Sequence, residues 1–533
     1  MGRVWRIAQC CNSLRCEGSD MLPPRGCCRP TMSQTNSANE AAKIARGGLL
    51  LTGTKLWFLA ASYAIYFAIP RLATDGDSIL GQFKAAGAWL SILSTVLVQG
   101  TTQAVSRYVG ANPGCARALR GRVLWLQLAL GGSLSALYWF AAPWIAGDDA
   151  ALVQPLRVSA TIPLIYSLYA VLLGILNGAR AFSLQAAVDG SFTTAKVVLV
   201  CLGIWITGTA AGAYAGFAAS ALFVLIAAWF ASRRVLARQD CVAAPAPRVG
   251  EFLGYQVQTV AFMMAVQWLV QMDLWYVQWF LDCSGAARDS ARALYSATQL
   301  FAQIPYSLVI AVTLVLFPLV SATAAAATEQ TRRYVREALR WALIIVATTT
   351  VVLVARPEPT LGLLLKDSAA HLAQHPDAAS GLSWLGAGYV GFALFFLLCS
   401  TLNAAGAAVW SVVLALGVAG VQLVLSMLLL PRFGLAGQGM AGCIAMLAGC
   451  AAAFVCVGRR FGNVLPLATV VRVALAAAAV AALAHVIPSA GLLGTVLRFC
   501  ACGGSMLAAL VLLGEFGRED REKLARMLGR KQR

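Results

Sequence analysis

The sequence predicts an all-α, polytopic membrane protein of about fourteen spans, two six-helix lobes followed by a further helix pair. Three observations predict it. The 533 residues have a mean hydropathy of +0.74, with 59% hydrophobic and only 12% charged residues. Such a composition excludes a chain of soluble domains. Apolar runs of span length recur along the chain, since one crossing takes about 20 apolar residues. Lysine and arginine fall mostly in alternate loops, the signature of a cytoplasmic side.

The elements follow in order. Residues 1–46 are polar, hold Cys10, Cys11, Cys16, Cys27 and Cys28 without zinc-ligand spacing, and lack an apolar core segment. They read as a disordered basic tail, or as an early start with Met32 as initiator. The first span, 48–70, carries one charge, Lys55, two turns in. An ammonium there faces a wet cavity, pairs with an acid, or snorkels incompletely. Further spans are expected at 86–106, 123–146, 152–177, 186–208, 210–231, 252–280, 293–320, 341–355, 383–404, 407–430, 434–458, 465–487 and 492–514. The segment 252–280 is unusually polar, with Gln256, Gln258, Gln267, Gln271 and Gln278. The loop 356–382 reads as a short surface helix, whose His371 and His375 are expected to be solvated, because a zinc site needs three or four ligands.

With the amino terminus inside, internal cytoplasmic loops hold fifteen Lys/Arg, against seven in the opposite loops, where Lys84 is placed. Both termini are then cytoplasmic, and much of the +19 net charge is explained without nucleic acid. The basic Ala-Pro stretch 232–250 reads as a linker between lobes 47–231 and 251–461. Residues 462–514 form the added pair, and 515–533 a basic tail. Charges left inside spans are Lys55, Arg157, Asp189, Lys196, Asp273, Arg472 and Arg498. Lys55, Lys196, Asp273 and Arg498 lie deepest, and intramembrane charges are functional candidates by default.

No Gly-rich loop ending in Gly-Lys-Ser/Thr occurs, so ATP is not expected to drive the chain, and no Ser/His/Asp set points to an enzyme. No cofactor is expected. Four stretches carry a positive signal: 99–110 (QGTTQAVSRYVG), 174–186 (GILNGARAFSLQA), 268–281 (WLVQMDLWYVQWFL) and 294–321, with Pro305 and Pro318. In this order they resemble the polysaccharide transporter (oligosaccharide flippase) branch of the multidrug/oligosaccharidyl-lipid/polysaccharide flippase superfamily, over roughly 45–460.

The resemblance implies a V-shaped, two-lobe transporter in the inner membrane that moves a lipid-linked oligosaccharide while the lipid tail stays in the bilayer. Membrane lipids are its surroundings, and a coupling cation is a further partner to consider. Lys55 and Arg292 look like the cavity cations of related lipid II flippases. Asp273 is then their charge partner or an ion-coupling acid, or else part of a structural ion pair. Gln267 and Gln271 suit sugar hydroxyls or interhelical hydrogen bonds. Arg107 and Arg180 flank the inner entrance, where guanidinium groups suit a diphosphate. Pro305 is the hinge candidate, and Pro318 a helix terminator. Rival readings are a lipid II flippase, a cation-coupled multidrug antiporter of the same superfamily, and a non-transporting membrane enzyme or scaffold.

Overall fold

The computed structural model describes residues 53–54, 57–58, 60–179, 181–237, 249–281, 285–323, 328–487 and 491–517. The tail 1–46, Lys55, Arg180, residues 238–248 of the linker and 518–533 lie outside the described residues. Among the described residues there are helices and no strands. That is what a hydrocarbon environment demands of an open chain, since every backbone polar group must be satisfied within its own segment.

The helices are α1 (60–72), α2 (Gly76–Ala111), α3 (Ala116–Ala146), α4 (Ala150–Ser159), α5 (Thr161–Gly178), α6 (Phe182–Thr207), α7 (Ala210–Ala237), α8 (Val249–Gln271), α9 (Asp273–Phe280), α10 (Gly285–Thr323), α11 (Thr328–Val354), α12 (Pro357–Leu364), α13 (Ser368–Gln374), α14 (Ala378–Ala404), α15 (Ala408–Phe461), α16 (Leu467–Val486) and α17 (Gly491–Leu512). Each expected span falls on one of these helices or part of one, except 152–177, which covers α4 and α5, and 252–280, which covers α8 and α9; the first span is seen only through its described portion. Nine helical stretches among the described residues are long and apolar enough to cross a membrane, ten if the bent pair α8–α9 counts as one.

At 54 residues, α15 is about 80 Å long at ~1.5 Å per residue, more than twice a ~30 Å hydrocarbon core. It therefore makes two crossings. The turn is at Gly434, whose φ of 58° and ψ of −142° lie outside the helical region. Only glycine adopts that conformation cheaply, and a Cβ there would run into the Asp377 carboxylate. Asp377 accepts the Ala436 amide at 3.1 Å, which fixes the second half of α15 where it departs.

Helices α2, α3, α5 and α7 pack on one another, with α6 on α7. Helices α10, α11, α14 and α15 form a second packed group. The α8 helix bridges them, touching α2 on one side and α15 on the other. The pair α16–α17 packs on α11 through Leu343, Val351, Val473, Val480 and Met506. Large apolar side chains such as Trp144, Val409 and Val486 remain exposed on the outside, as a lipid-facing surface requires.

The short run 341–355 borrows residues from its flank, as its length demands, and is the last part of a 27-residue helix, α11. Other expectations need correction. The 356–382 loop forms two short helices, and its histidines are half-buried and hydrogen-bonded rather than fully solvated. His375 is hydrogen-bonded to the Ala287 carbonyl at 2.9 Å, and His371 to Ser290 at 2.9 Å. Lys84 is not in a loop but buried within α2. Arg498 is buried in α17, 3.4 Å from the Thr360 hydroxyl and 3.5 Å from the Arg356 carbonyl.

Candidate functional site

The α8–α9 helix breaks at Met272, and its two halves diverge by 49°. A break strands a backbone carbonyl, and a stranded carbonyl in hydrocarbon is costly. Two glutamines of α10 take it up. Gln299 and Gln303 donate their side-chain amides to the Val270 carbonyl at 3.0 and 3.2 Å. The break is therefore built, and it places Asp273 at the first position of α9. Acids suit that position because the helix dipole is positive there.

Asp273 is completely buried. One of its oxygens accepts the Leu274 amide at 2.9 Å and also the Gln299 amide. The other accepts the Tyr295 hydroxyl at 3.2 Å. All these donors are neutral. The described cation that acts on Asp273 is Lys84, electrostatically and without a direct ion-pair contact. The Lys84 ammonium lies 5.4 Å from the centre of the Tyr66 ring. A lysine at α2, a tyrosine at α1 and an acid at the α8–α9 break thus converge between the two packed groups.

Along α10, Arg292, Tyr295, Gln299 and Gln303 recur at helical spacing and share one face. Arg292 is buried and ion-paired to Asp149, which precedes α4. A second contact runs to Asp289 at 3.6 Å. Its Nε has no hydrogen-bond partner among the described residues. Gly81 of α2 gives the arginine room, since a Cβ there would be only 3.0 Å from the Arg292 Cγ.

Cross-group contacts continue to the end of the bundle that carries residues 73–75, 147–149 and 356–377, hereafter the acidic end. Trp275 donates its indole N–H to the Ala85 carbonyl at 3.0 Å. Arg71 donates to the Leu363 carbonyl at 2.7 Å. Asp77, at the start of α2, accepts the amides of Lys366 and Asp367 at 3.0 and 2.9 Å and lies 3.3 Å from His371. Burial pushes the Asp77 carboxyl up. The His371 and backbone hydrogen bonds together outweigh that and hold it below the ordinary carboxylate range. Toward the opposite, basic end, α2 and α8 stay joined by Gln267–Thr95 at 2.9 Å and Gln256–Thr101 at 3.0 Å.

The expected residues divide as follows. Asp273, Arg292 and Gln267 lie at the junction of the two groups. Gln267 is bound to a neighbouring helix, the interhelical alternative of its two readings. Gln271 is half-buried beside the break. Pro305 is buried inside an uninterrupted stretch of α10. Arg107 is exposed near the basic end of α2, well separated in sequence from Lys84. Lys55 and Arg180 lie outside the described residues, so the expected Lys55–Asp273 pairing has no described geometry. Lys196 rests over the Phe217 ring at 4.0 Å, and Asp189 accepts the Tyr169 hydroxyl at 2.5 Å. Sequence reading missed Lys84. The signal was present: Ile79, Leu80, Phe83, Ala85 and Ala86 surround it, an apolar setting unusual for a loop.

The sequence profile of the family described as lipid II flippase MurJ matches residues 116–508. No curated protein sequence matches. Solved structures that share the fold include three of note. One, described as lipid II flippase MurJ in an inward closed conformation, has a TM-score of 0.67 and 13% identity, covering 88% of this chain and 99% of its own. A MOP-superfamily transporter from Pyrococcus furiosus, described as having a binding pocket of reversed polarity, has a TM-score of 0.61 and 15% identity, covering 79% and 96%. An inward-facing multidrug resistance MATE family transporter has a TM-score of 0.62 and 16% identity, covering 77% and 95%. The family match falls on the lipid II flippases of the superfamily, whereas the four sequence stretches resemble its polysaccharide transporters.

Proposed function

The chain belongs to the lipid II flippase MurJ family, and from that premise we propose that it carries a polyprenyl-diphosphate-linked saccharide of the lipid II kind across the cytoplasmic membrane. The helices on either side of the α8 bridge act as the two lobes, both termini are cytoplasmic, and the acidic end faces outward. The chain acts as a transporter, not as an enzyme.

The observation that carries this reading is the ion pair between buried Arg292 and Asp149. It joins the two lobes toward the acidic end, and the arginine is the residue type that grips a diphosphate best. A diphosphate arriving between the lobes competes with Asp149 for that guanidinium. Lys84 supplies a second cation nearby. Binding therefore weakens the closure of the outer end, which is the differential interaction a ligand needs to shift a two-state equilibrium. Asp273, bound only by neutral donors, answers to the charge of Lys84 and is the candidate for a coupling cation.

The test is reconstitution in vesicles with a labelled lipid II. The expected result is translocation that needs Arg292 and Lys84. The polysaccharide-transporter resemblance supplies a second reading, a lipid-linked surface-polysaccharide unit. Movement of that lipid but not lipid II would favour it. Ion-driven efflux of ethidium without movement of either lipid would assign a multidrug antiporter instead. Reporter fusions after Gly462 and after His371 test the orientation, with inside and outside signals expected in that order.

A further inference from the structure

At the basic end, a cavity of about 170 Å³ opens between α11 and the start of α16, lined by Arg333, Arg336, Glu337, Arg340, Pro466 and Thr469 among others. Its arginines are not equivalent. Arg340 is committed: it binds Glu515 at 2.7 Å and lies 3.6 Å from Glu337. Glu337 also accepts the Trp341 indole N–H at 3.0 Å. Arg333 and Arg336 are exposed, and neither enters an ion pair among the described residues. Two uncompensated guanidinium groups one turn apart at the mouth of a cavity form an anion site.

The surroundings say which anion. Leu467 lies between two lining positions, Pro466 and Ala468, and is 57% exposed. Val471 and Leu475 follow on the same helix face, 55% and 57% exposed. An apolar stripe thus runs from the cavity rim along the outside of a membrane-spanning helix. A phosphate at the rim with acyl chains along the stripe matches both halves.

We propose that this cavity binds the phosphate of an anionic glycerophospholipid, held by Arg333 and Arg336, with the chains on Leu467, Val471 and Leu475. Basic pockets between membrane helices at the cytoplasmic face hold such headgroups. The cavity is too small for the saccharide-peptide head of a lipid-linked substrate, so this site is separate from the transport path. Arg340 at its floor holds Glu515, and Glu515 accepts the Thr469 hydroxyl at 2.8 Å. The bound lipid therefore sits against the fastening that joins the α16–α17 pair to α11.

The full chain is reconstituted in nanodiscs of phosphatidylcholine with increasing fractions of phosphatidylglycerol. Lipid retention is read by mass spectrometry and thermal stability by the unfolding midpoint. The wild type should retain phosphatidylglycerol preferentially and melt higher as its fraction rises, less so at high salt. The double variant Arg333→Gln/Arg336→Gln should lose that preference by roughly 25-fold, from about 1 kcal/mol per arginine near the surface, and melt as the wild type does in phosphatidylcholine alone. An unchanged preference in the double variant overturns the proposal. So does a wild-type preference that salt does not weaken, a readout that stands even if the double variant fails to fold. Inorganic phosphate that stabilises the protein in phosphatidylcholine as much as phosphatidylglycerol does would make this a small-anion site and overturn it too. Transport enters none of these readouts, so failure here leaves the flippase reading intact, and the reverse holds.

Discussion

Two buried carboxylates in this protein have opposite company. Glu515, just beyond α17, has a side chain 1% exposed and is gripped by Arg340 at 2.7 Å, Arg472 at 3.1 Å and Thr469. Burial pushes its carboxyl up, but the bonds from Arg340, Thr469 and Arg472 win and hold it below the ordinary range. Asp273 is equally buried yet touches only a tyrosine, a glutamine and one amide, with its cation at a distance. A carboxylate saturated by guanidinium groups is a fastener, because moving it strands several charges at once. One held by neutral donors can exchange partners as helices shift. The difference makes Glu515 the fastening of the α16–α17 pair, and it is the ground on which Asp273 is proposed as a working group.

The comparison is broken most forcefully at the fastener. Removing one partner of a buried ion pair costs about 3–5 kcal/mol, and the partial exposure of Arg472 puts Glu515→Gln near the lower figure. Thermal unfolding and protease access to the α16–α17 pair should both register that loss. A melt unchanged from wild type would make Glu515 a bystander. Next comes Asp77, whose loss to alanine strands two backbone amides and His371. We expect about 1–3 kcal/mol, read as increased labelling of a cysteine introduced at Ala85 by a membrane-impermeant thiol reagent from outside.

Both effects have a pH signature. The folded values of Asp77 and Glu515 lie below their unfolded ones. Their stabilisation is therefore complete above the unfolded values, roughly pH 4, and is lost as pH falls through the folded ones. The melting midpoint should hold steady from neutrality down to about pH 5 and drop in stronger acid. The smallest effect is expected at the α2–α8 seam: Gln267→Ala removes one side-chain hydrogen bond to Thr95, worth about 1 kcal/mol. A much larger loss of transport than of stability there would bring Gln267 back as a sugar-binding group.

The sequence made the fold legible because hydrocarbon imposes one rule on every span. Among the described residues the expected apolar runs are helical, and the polar run 252–280 is sharply bent at Met272. Asp273 was legible for the same reason, since a charge among apolar neighbours stands out, whereas Arg292 was reached only through the family resemblance. Lys84 was not, because it precedes the expected span 86–106 and so fell in the loop before it, and only the packing of α2 against α1 and α10 buries it. The roles of Asp77, His371 and Glu515 were hidden more deeply. Each meets its partners across a large stretch of chain, such as Asp77 with Lys366 and Arg340 with Glu515. No periodicity encodes such pairings.

The central claim is that the charges converging between the lobes serve an anionic lipid-linked head. Its most direct measurement is the rate at which vesicles bearing wild type, Lys84→Ala or Asp273→Asn move a labelled polyprenyl-diphosphate saccharide, set beside an uncharged analogue. The account predicts rapid movement of the diphosphate lipid by the wild type. It predicts at least a roughly tenfold loss in each variant, the equivalent of about 1.4 kcal/mol, with melting midpoints nearly unchanged and little movement of the uncharged analogue. Wild-type rates in both variants, or equal transport of the uncharged analogue, would contradict it.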